Sequence, residues 1–312
     1  MKQINDLKNT LSEFRDINFD ENVPARSFTS YCIGGDVRYV ITINSPGSAS
    51  KVLSKLHELG LRIHPLGAGT NILVSNSGFD GVFIRLGENF KKIERTSEGC
   101  IKAGAAAKLV DLVDYCVHNT LGGLAFLSGI PGTVGGAIAM NAGAFGDEIC
   151  NHVLNVNAVA YDGKEMNLSK DKCHFDYRNS VFKRDKLMVL DAQICCIPKS
   201  DIKTDVESHL EHRSRKHVPK GRYAGSVFKN PEGDYAGRLL DDAGMKGLRV
   251  GSAFVSVDHA NFILADKDAS ADDVLELMQI GAFRVYTFYG VKLYPEVELI
   301  GFDLDWDEIF NT

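Results

Sequence analysis

The sequence predicts a globular protein built from both helices and strands, and three observations lead to this prediction. The N-terminal third alternates strand-forming runs with an amphipathic helix, in the β-α-β order of an α/β unit. Strand-forming runs then dominate from Phe90 to about Pro198, and a long helix is predicted from Ser270 to Tyr289. The 312 residues, 44% of them hydrophobic, suffice for two or three domains with sizeable cores.

The N-terminal elements follow from residue type and spacing. Residues 1 to 22 predict an amphipathic helix followed by a polar arm. Val37 to Ile43 is rich in β-forming residues and predicts a strand. Ser48 to Leu59 carries apolar residues at helical spacing, and Gly60 follows where helices commonly end. Further strands are predicted at residues 62–66, 72–74 and 82–86.

The rest of the chain divides at a polar segment. Before it, one helix is predicted from Ala107 to His118, and strands are predicted at residues 100–103, 153–159 and 187–197. Residues 200 to 216 are polar and charged, and they predict a connecting helix at a domain boundary. Beyond it we expect a short helix at 236–243, an N-cap at Ser270 and a last strand at 293–300.

Composition argues against several classes of protein. The net charge of −6, without a basic block, argues against nucleic acid as a main partner. The chain lacks an apolar run of membrane-spanning length, and its start lacks the apolar core expected of a signal peptide. The seven cysteines are scattered without a CxxC motif, so we expect neither a zinc site nor a disulfide framework, and a cytoplasmic location.

The segment Gly122–Gly146 (GGLAFLSGIPGTVGGAIAMNAGAFG) is unusually rich in glycine and nearly free of charge. Glycine lets the backbone approach a ligand closely, and the segment is too apolar for a linker. One interpretation is backbone folded against a flat or anionic ligand, with Ser128, Thr133 and Asn141 as polar contacts. The other is a glycine-rich crossing inside the core.

A second glycine loop follows the strand predicted at residues 62–66, in Leu66–Gly81 (LGAGTNILVSNSGFDG). A Gly-x-Gly turn exposes successive backbone N–H groups, which suits phosphate. It is not the dinucleotide-binding fingerprint, since Ile72 occupies the third glycine position, nor is it a P-loop. An anion site and an ordinary hairpin turn both remain open. Two such loops in one domain suggest a dinucleotide.

Three separated polar residues could carry chemistry. Arg178 lies in a polar turn, Ser226 follows a glycine, and Glu296 lies in the last predicted strand. Arginine binds a carboxylate at two points, a serine hydroxyl can donate a proton, and a carboxylic acid can polarise an enolate. Each taken alone also fits an ordinary surface or capping residue.

The histidines give weaker signals. His209 and His212 are spaced for one helical face and could share a metal, but a third ligand is missing, so a solvated helix face is favoured. His259 fits either a ligand contact or a polar core position. No metal is expected.

Taken together, these motifs resemble one family. The chain is similar to the UDP-N-acetylenolpyruvoylglucosamine reductases (the MurB family), flavoenzymes of peptidoglycan precursor synthesis, from about Phe28 to Gly301. The resemblance rests on six segments in the family's order: LGAGTNILVSNSGFDG, GIPGTVGGAIAMNAGAFG, YRNS, GSVFKNP, HANF and PEVELIG. The 48-residue spacing from Arg178 to Ser226 resembles the shorter family variant, which lacks an extra loop over the substrate.

The resemblance implies an α+β fold. It comprises a two-subdomain FAD-binding fold of the vanillyl-alcohol-oxidase-like (PCMH-type) class and a smaller α+β substrate-binding domain. The expected divisions are residues 1–86 with a C-terminal return of 299–312, residues 87–200, and residues 201–298.

The resemblance also implies cofactors and contacts. FAD is expected to bind non-covalently, with NADPH as co-substrate. The family's cofactor contacts fall on Gly67, Ala68, Gly69, Thr70, Asn71, Ile130, Pro131, Gly132, Thr133, Gly135, Gly136 and Asn141. Substrate contacts fall on Lys229, Asn230, His259 and Asn261.

The implied reaction reduces UDP-N-acetylglucosamine enolpyruvate to UDP-N-acetylmuramate. Hydride passes from NADPH through FAD to substrate C3. By motif match, Ser226 protonates C2, and Arg178 and Glu296 stabilise the enolate. The segment from Arg213 to Ala224 matches the family poorly, so the resemblance predicts the chemistry but not the contacts with the substrate diphosphate.

We therefore expect a nucleotide-sugar substrate, no nucleic-acid or membrane partner, and a monomer or weak oligomer. Two alternatives stay open from the sequence. One is a flavin oxidase of the same fold class that acts on a sugar or alcohol, which would not need the Arg178, Ser226 and Glu296 set. The other is a nucleotide-binding protein without enzymatic activity.

Overall fold

The structure is a computed structural model that describes residues 14–97, 99–215 and 219–310. The chain divides into two compact units. Among the described residues, unit 1 comprises 14–21, 39–68, 81–97 and 99–213, and unit 2 comprises 22–38, 69–80, 214–215 and 219–310. The predicted three-part division of the chain stays a prediction.

The described chain contains both helices and strands. The helices are α1 (Pro46–Glu58), α2 (Leu109–His118), α3 (Val134–Ala139), α4 (Val181–Arg184), α5 (Ile202–Arg215), α6 (Ala236–Asp242) and α7 (Ala271–Tyr289). The strands are β1 (Ile17–Pro24), β2 (Asp36–Ile43), β3 (Ile63–Pro65), β4 (Ile72–Val74), β5 (Phe79–Leu86), β6 (Ile93–Ser97), β7 (Cys100–Gly104), β8 (Leu121–Gly122), β9 (Gly143–Ala144), β10 (Asp147–Glu148), β11 (Val153–Ala160), β12 (Glu165–Ser169), β13 (Leu187–Cys195), β14 (Ile197–Pro198), β15 (Arg249–Val250), β16 (Ala253–Val255), β17 (Ile263–Ala265) and β18 (Glu298–Ile300).

Two cores stabilise unit 1. In the first, α1 buries Val52, Leu53 and Leu56, which the helical spacing predicted, in a cluster with residues of β2 and β5. The second belongs to a five-stranded sheet of order β12-β11-β13-β7-β6. On this sheet α2 contributes Leu109 and Leu112 to the core. This second core also contains Val134 and Ile138 of α3, so it anchors the glycine-rich segment.

Unit 2 is built around α7. Ser270 caps this helix by accepting a hydrogen bond from the Asp273 N–H, and the Asp273 side chain returns the bond, as a capping box requires. Its buried face, including Leu277 and Met278, joins one core with α6 and the sheet of order β15-β16-β17. A separate parallel pair joins β18 to β4. The predicted helix and N-cap are therefore confirmed.

Two predictions need correction. The predicted polar arm before residue 22 is wrong from Ile17 onwards, because this stretch belongs to β1 at the edge of a four-stranded sheet of order β1-β2-β5-β3. The helix predicted before it falls on residues 1–13, outside the described part of the chain. The last strand is also shorter than predicted, since it begins at Glu298, and Tyr294 and Pro295 pair instead with Lys229 and Phe228.

Candidate active site

The glycine-rich segment of unit 1 is held by backbone hydrogen bonds to the stretch between β7 and α2. The Val134 N–H donates to the Ala107 carbonyl at 2.9 Å, and the Leu109 N–H donates to the Gly132 carbonyl at 3.1 Å. Thr133 caps α3, because its Oγ1 accepts a hydrogen bond from the Gly136 N–H at 3.3 Å. The loop that precedes α3 is therefore fixed in place from both sides.

The structure brings the two glycine loops together at Gly67 and Thr133, both in unit 1. A Cβ atom added to Gly67 would lie 2.8 Å from Thr133 Oγ1, closer than side chains normally approach. Pro131, Gly136 and Gly67 are nonetheless exposed to solvent on their outer side. The result is an open cradle of main chain in which glycine leaves the backbone accessible.

A buried hydroxyl lies in the same segment. Ser128 is only 3% exposed, and its Oγ has no hydrogen-bond partner among the residues that the structure describes. Leaving such a group unpaired costs about 1–3 kcal/mol, so a polar ligand atom that satisfied it would bind favourably. The neighbouring Ile130 is held by a hydrogen bond from its N–H to the Leu127 carbonyl at 3.0 Å.

The part of the Leu66–Gly81 glycine loop from Gly69 onwards is anchored by hydrogen bonds within unit 2. The Gly69 carbonyl accepts a hydrogen bond from the Ser30 N–H at 2.9 Å. Asn71 Nδ2 donates to the Glu296 carbonyl at 3.0 Å, and the Asn71 carbonyl accepts from the Glu298 N–H at 3.0 Å. The loop end is thereby tied to Glu296 and to the start of β18. Ala68 is exposed and Thr70 half-buried.

Arg178 lies in a tight turn of unit 1. Asp176 and Asn179 exchange two backbone hydrogen bonds, of 3.0 and 3.1 Å, across Tyr177 and Arg178. Arg178 has a φ of 54°, a left-handed conformation that is unfavourable for a residue with a side chain. Its guanidinium donates to the Gly143 carbonyl at 3.2 Å, so it contacts the end of the glycine-rich segment.

Asn141 links this turn to the glycine-rich segment, a role that its sequence neighbourhood did not suggest. Its side chain is buried, and its Nδ2 donates to Glu148 Oε2 at 2.8 Å and to the Asp176 carbonyl at 3.1 Å. Its Oδ1 accepts from the Cys150 N–H at 3.2 Å. These contacts indicate that Asn141 positions the Arg178 turn, and its predicted FAD contact stays a prediction.

The segments that carry Ser226 and Glu296 pair with each other in unit 2. The Glu296 N–H donates to the Val227 carbonyl at 2.9 Å, and Phe228 and Pro295 form an isolated antiparallel bridge. Both Ser226 and Glu296 are half-buried. Two segments far apart in sequence, one with a hydroxyl and one with a carboxylate, therefore lie next to each other.

Asn261 holds the Ser226 segment in place. It is buried, its Oδ1 accepts from the Phe228 N–H at 2.9 Å, and its Nδ2 donates to the Phe228 carbonyl at 2.9 Å. Its backbone carbonyl also accepts from the Val227 N–H at 2.9 Å. The side chain thus acts as an extra strand partner for the residues that follow Ser226.

The other predicted substrate contacts surround α6 in unit 2. Asn230 Oδ1 accepts from the Ala236 N–H at 3.0 Å, at the start of this helix. His259 packs so tightly on the helix that a Cβ on Gly237 would lie 2.7 Å from its ring. Lys229 donates its N–H to the Tyr294 carbonyl at 3.0 Å. The substrate contacts of all three stay predictions.

The histidines of α5 differ from the favoured interpretation. His209 stacks on Phe145 with ring centroids 4.2 Å apart, and His212 meets the same ring edge-on at 5.4 Å. His209 therefore packs against the glycine-rich segment instead of forming a solvated face. Across residues 14–97, 99–215 and 219–310, no cluster of three or more histidine, cysteine or acidic side chains could hold a metal.

Two family models match the chain. The model described as "FAD binding domain" matches residues 37–169. The model for the C-terminal domain of UDP-N-acetylenolpyruvoylglucosamine reductase matches residues 217–300.

Named relatives cover nearly the whole chain. A UDP-N-acetylenolpyruvoylglucosamine reductase of Clostridium botulinum strain Alaska E43 is 36% identical, over 93% of this chain and 95% of its own length. One from Thermotoga sp. strain RQ2 is 38% identical, over 87% and 90%. The crystal structure of the Thermus caldophilus reductase (MurB) shares 31% identity with a TM-score of 0.78, covering 92% of this chain and all of its own.

The fold and the FAD-binding match define the class: the chain is an FAD-dependent oxidoreductase. The predicted α+β fold class is confirmed by the same matches. The chain belongs to the UDP-N-acetylenolpyruvoylglucosamine reductase (MurB) family. Among the described residues, no helix is long and apolar enough to cross a membrane.

The residues present fit FAD. The cradle at Gly67 and Thr133 offers backbone without side chains in the way, as a pyrophosphate requires. The Ser128 hydroxyl is buried and lacks a partner among the described residues, so it can bond a polar atom of a ligand. Glycine spacing in the sequence predicted the cradle, but the Ser128 hydroxyl became distinctive only once its burial was known.

Proposed function

We propose that the protein reduces UDP-N-acetylglucosamine enolpyruvate to UDP-N-acetylmuramate, with NADPH as the electron donor. The family membership supports the substrate, because the relatives carry this activity in their names. The observation that carries the residue assignment is the pairing of the Ser226 and Glu296 segments in unit 2, through the Glu296 N–H to Val227 carbonyl bond of 2.9 Å.

The cofactor and the protein divide the chemistry. When bound, FAD supplies hydride transfer between the nicotinamide and the substrate. In unit 1 the loop that precedes α3, together with Gly67 and Ser128, would hold it, since these residues offer accessible backbone and an unsatisfied hydroxyl among the described residues.

Ser226 would supply the proton. Addition of hydride at C3 of the enolpyruvyl group leaves C2 to be protonated, and the Ser226 Oγ–H is the donor that the motif places there. Its position is fixed by the backbone bonds of Val227 and Phe228 to Asn261, each of 2.9 Å. A donor held in place in advance lowers the barrier, because it needs little reorganisation in the transition state.

Glu296 and Arg178 would act on the carboxyl end of the substrate. Negative charge develops on the enolate oxygens, and a guanidinium stabilises it with charge-assisted hydrogen bonds. Arg178 is oriented for this by the Gly143 carbonyl at 3.2 Å. Glu296 is held by its backbone bond to Val227, the residue after Ser226, and a carboxyl group there can hydrogen bond to an enolate oxygen.

The two half-reactions test this assignment. In Ser226→Ala, we expect NADPH to bleach the visible flavin absorbance at the wild-type rate, while reoxidation by the enolpyruvyl nucleotide slows by about 10²-fold or more, as loss of a general acid does. Ser252→Ala, a half-buried serine of the same unit, is the matched control and should leave both rates unchanged. Equal slowing of both half-reactions in Ser226→Ala would remove the proton-donor role.

The same experiment separates the alternatives. A flavin oxidase would be reoxidised rapidly by oxygen and would ignore NADPH, and a binding protein would retain nucleotide without turnover. The cytoplasmic location and the monomer or weak oligomer stay predictions.

A further inference from the structure

Unit 2 contains a cationic cavity that is lined by none of the residues assigned above to the reaction. Its volume is about 500 Å³, within the range of small-molecule sites. Arg26, Arg222 and Lys267 line it, together with Gly35 and Asn76. All of its lining residues belong to unit 2.

The three cations lack carboxylate partners. Within the described residues, Arg26, Arg222 and Lys267 form no ion pair, and no acidic side chain lines the cavity. Other arginines of the same unit are paired, for example Arg38 with Asp80 at 2.7 Å. Positive charges that converge on a concave wall strengthen the local field and attract anions.

The walls of the cavity are held by backbone contacts. The Ala25 N–H donates to the Gly35 carbonyl at 3.0 Å, which fixes the turn that carries Arg26. A Cβ on Gly35 would lie 2.2 Å from the Asn76 carbonyl, so these two backbones are in direct contact.

The Arg222 wall is anchored in the same way. Its carbonyl accepts from the Ala265 N–H at 2.9 Å, which joins it to β17. The next carbonyl along, of Tyr223, accepts from Ser30 Oγ at 2.6 Å. The backbones that carry Arg26 and Arg222 are therefore preorganised, and a ligand needs to order only the side chains.

At the start of α7, the N–H groups of Ser270, Ala271 and Asp273 are already bound by side chains. The Ala271 N–H donates to Asn76 Oδ1 at 2.9 Å, and the Asp273 N–H donates to Ser270 Oγ at 3.1 Å. Asn76 Nδ2 is bound to Asp272 Oδ2 at 2.7 Å, which draws this carboxylate to the amide. Recognition of an anion therefore rests on the three cationic side chains.

We propose that this cavity binds a small phosphate-bearing molecule. Two guanidinium groups and one ammonium match a doubly or triply charged anion, and guanidinium recognises phosphate oxygens at two points. Arg222 lies four residues before Ser226. A ligand that binds Arg222 restrains the segment leading to Ser226, and so it changes the activity from outside the reaction site.

Titration calorimetry on the FAD-loaded full chain tests the site. Inorganic phosphate, pyrophosphate and glucose 1-phosphate are titrated at low salt. We expect saturable binding that weakens by about tenfold or more in Arg222→Gln and in Lys267→Gln, because each loses charge-assisted hydrogen bonds. Lys220→Gln, an exposed neighbour outside the cavity, is the matched control and should bind as the wild type does.

The outcomes divide cleanly. Tighter binding of glucose 1-phosphate than of inorganic phosphate assigns a phosphate ester, and the reverse order assigns the free anion. Absence of saturable binding overturns the proposal. So does an affinity for these phosphates in the Arg222→Gln/Lys267→Gln double variant that equals that of the wild type. Arg26 lies on a separate segment from Arg222. If Arg222→Gln loses FAD, the same titration is therefore made with Arg26→Gln. Slower hydrogen exchange at residues 220–226 on binding is the second expected readout, and NADPH-dependent turnover does not enter either measurement.

Discussion

Replacing Gly67 by alanine probes the cradle directly. The added Cβ would lie 2.8 Å from Thr133 Oγ1, so the threonine side chain must move. That atom also accepts the Gly136 N–H at 3.3 Å as the N-cap of α3, and loss of an N-cap costs about 1 kcal/mol. Overpacking adds about 1–3 kcal/mol, so we expect Gly67→Ala to lower the free energy of unfolding by about 2–4 kcal/mol and to weaken FAD binding.

Urea unfolding of the FAD-free protein and flavin fluorescence titration measure the two effects separately. Gly47→Ala is the control, because no atom lies within 4 Å of its added Cβ and it lies in the first turn of α1, where alanine stabilises by about 0.5–1 kcal/mol. If the mechanism is displacement of Thr133 Oγ1, the Gly67→Ala/Thr133→Ala double variant loses less than the sum of the single variants. Wild-type stability and FAD affinity in Gly67→Ala would refute the reasoning.

Three further predictions follow from described contacts. Asn261→Ala leaves two buried backbone groups without their partners, at about 1–3 kcal/mol each, so urea unfolding should shift strongly and substrate reduction should slow more than flavin reduction; parallel changes in both half-reactions would contradict this. Burial opposes ionisation of Asp147, but hydrogen bonds from Asn151 and His152 outweigh it and lower the carboxyl pKa. Asp147→Asn should therefore lower the melting temperature at neutral pH, and the difference from wild type should shrink as the pH falls below the ordinary aspartate pKa and vanish only below the lowered pKa of the folded state; a constant difference would argue against it. Burial raises the pKa of Cys173 to about 11, so mass spectrometry should find it alkylated by iodoacetamide far more slowly than the exposed cysteines at pH 8, and equal rates would contradict its burial.

Local signals predicted the elements that depend on local chemistry. The apolar spacing of α1 and the Ser270 cap of α7 involve residues within a few positions of each other, and both are present as predicted. By contrast, residues 17–22 appear polar because β1 lies at a sheet edge, where one face meets solvent. Edge strands therefore escape a search for apolar runs.

The candidate site was harder to predict where it depends on distant partners. Sequence motifs pointed to Arg178 and Ser226, but nothing in the spacing showed that Asn141 holds the Arg178 turn through the Asp176 carbonyl at 3.1 Å. The stacking of His209 on Phe145 likewise joins residues that only the fold brings together. A polar or aromatic side chain does not reveal its partner from sequence when that partner is distant.

The tie between Asn71 and Glu296 has a consequence for biosynthesis. Their hydrogen bond joins residues 225 positions apart, and the strand that follows Asn71 has β18 as its partner. The ribosome delivers Glu296 and β18 only after more than 220 further residues, so the end of the Leu66–Gly81 loop reaches its final conformation only after that later stretch has been made. A chain truncated shortly before residue 296 would therefore carry every residue of both glycine loops and still lack the strand that anchors one of them.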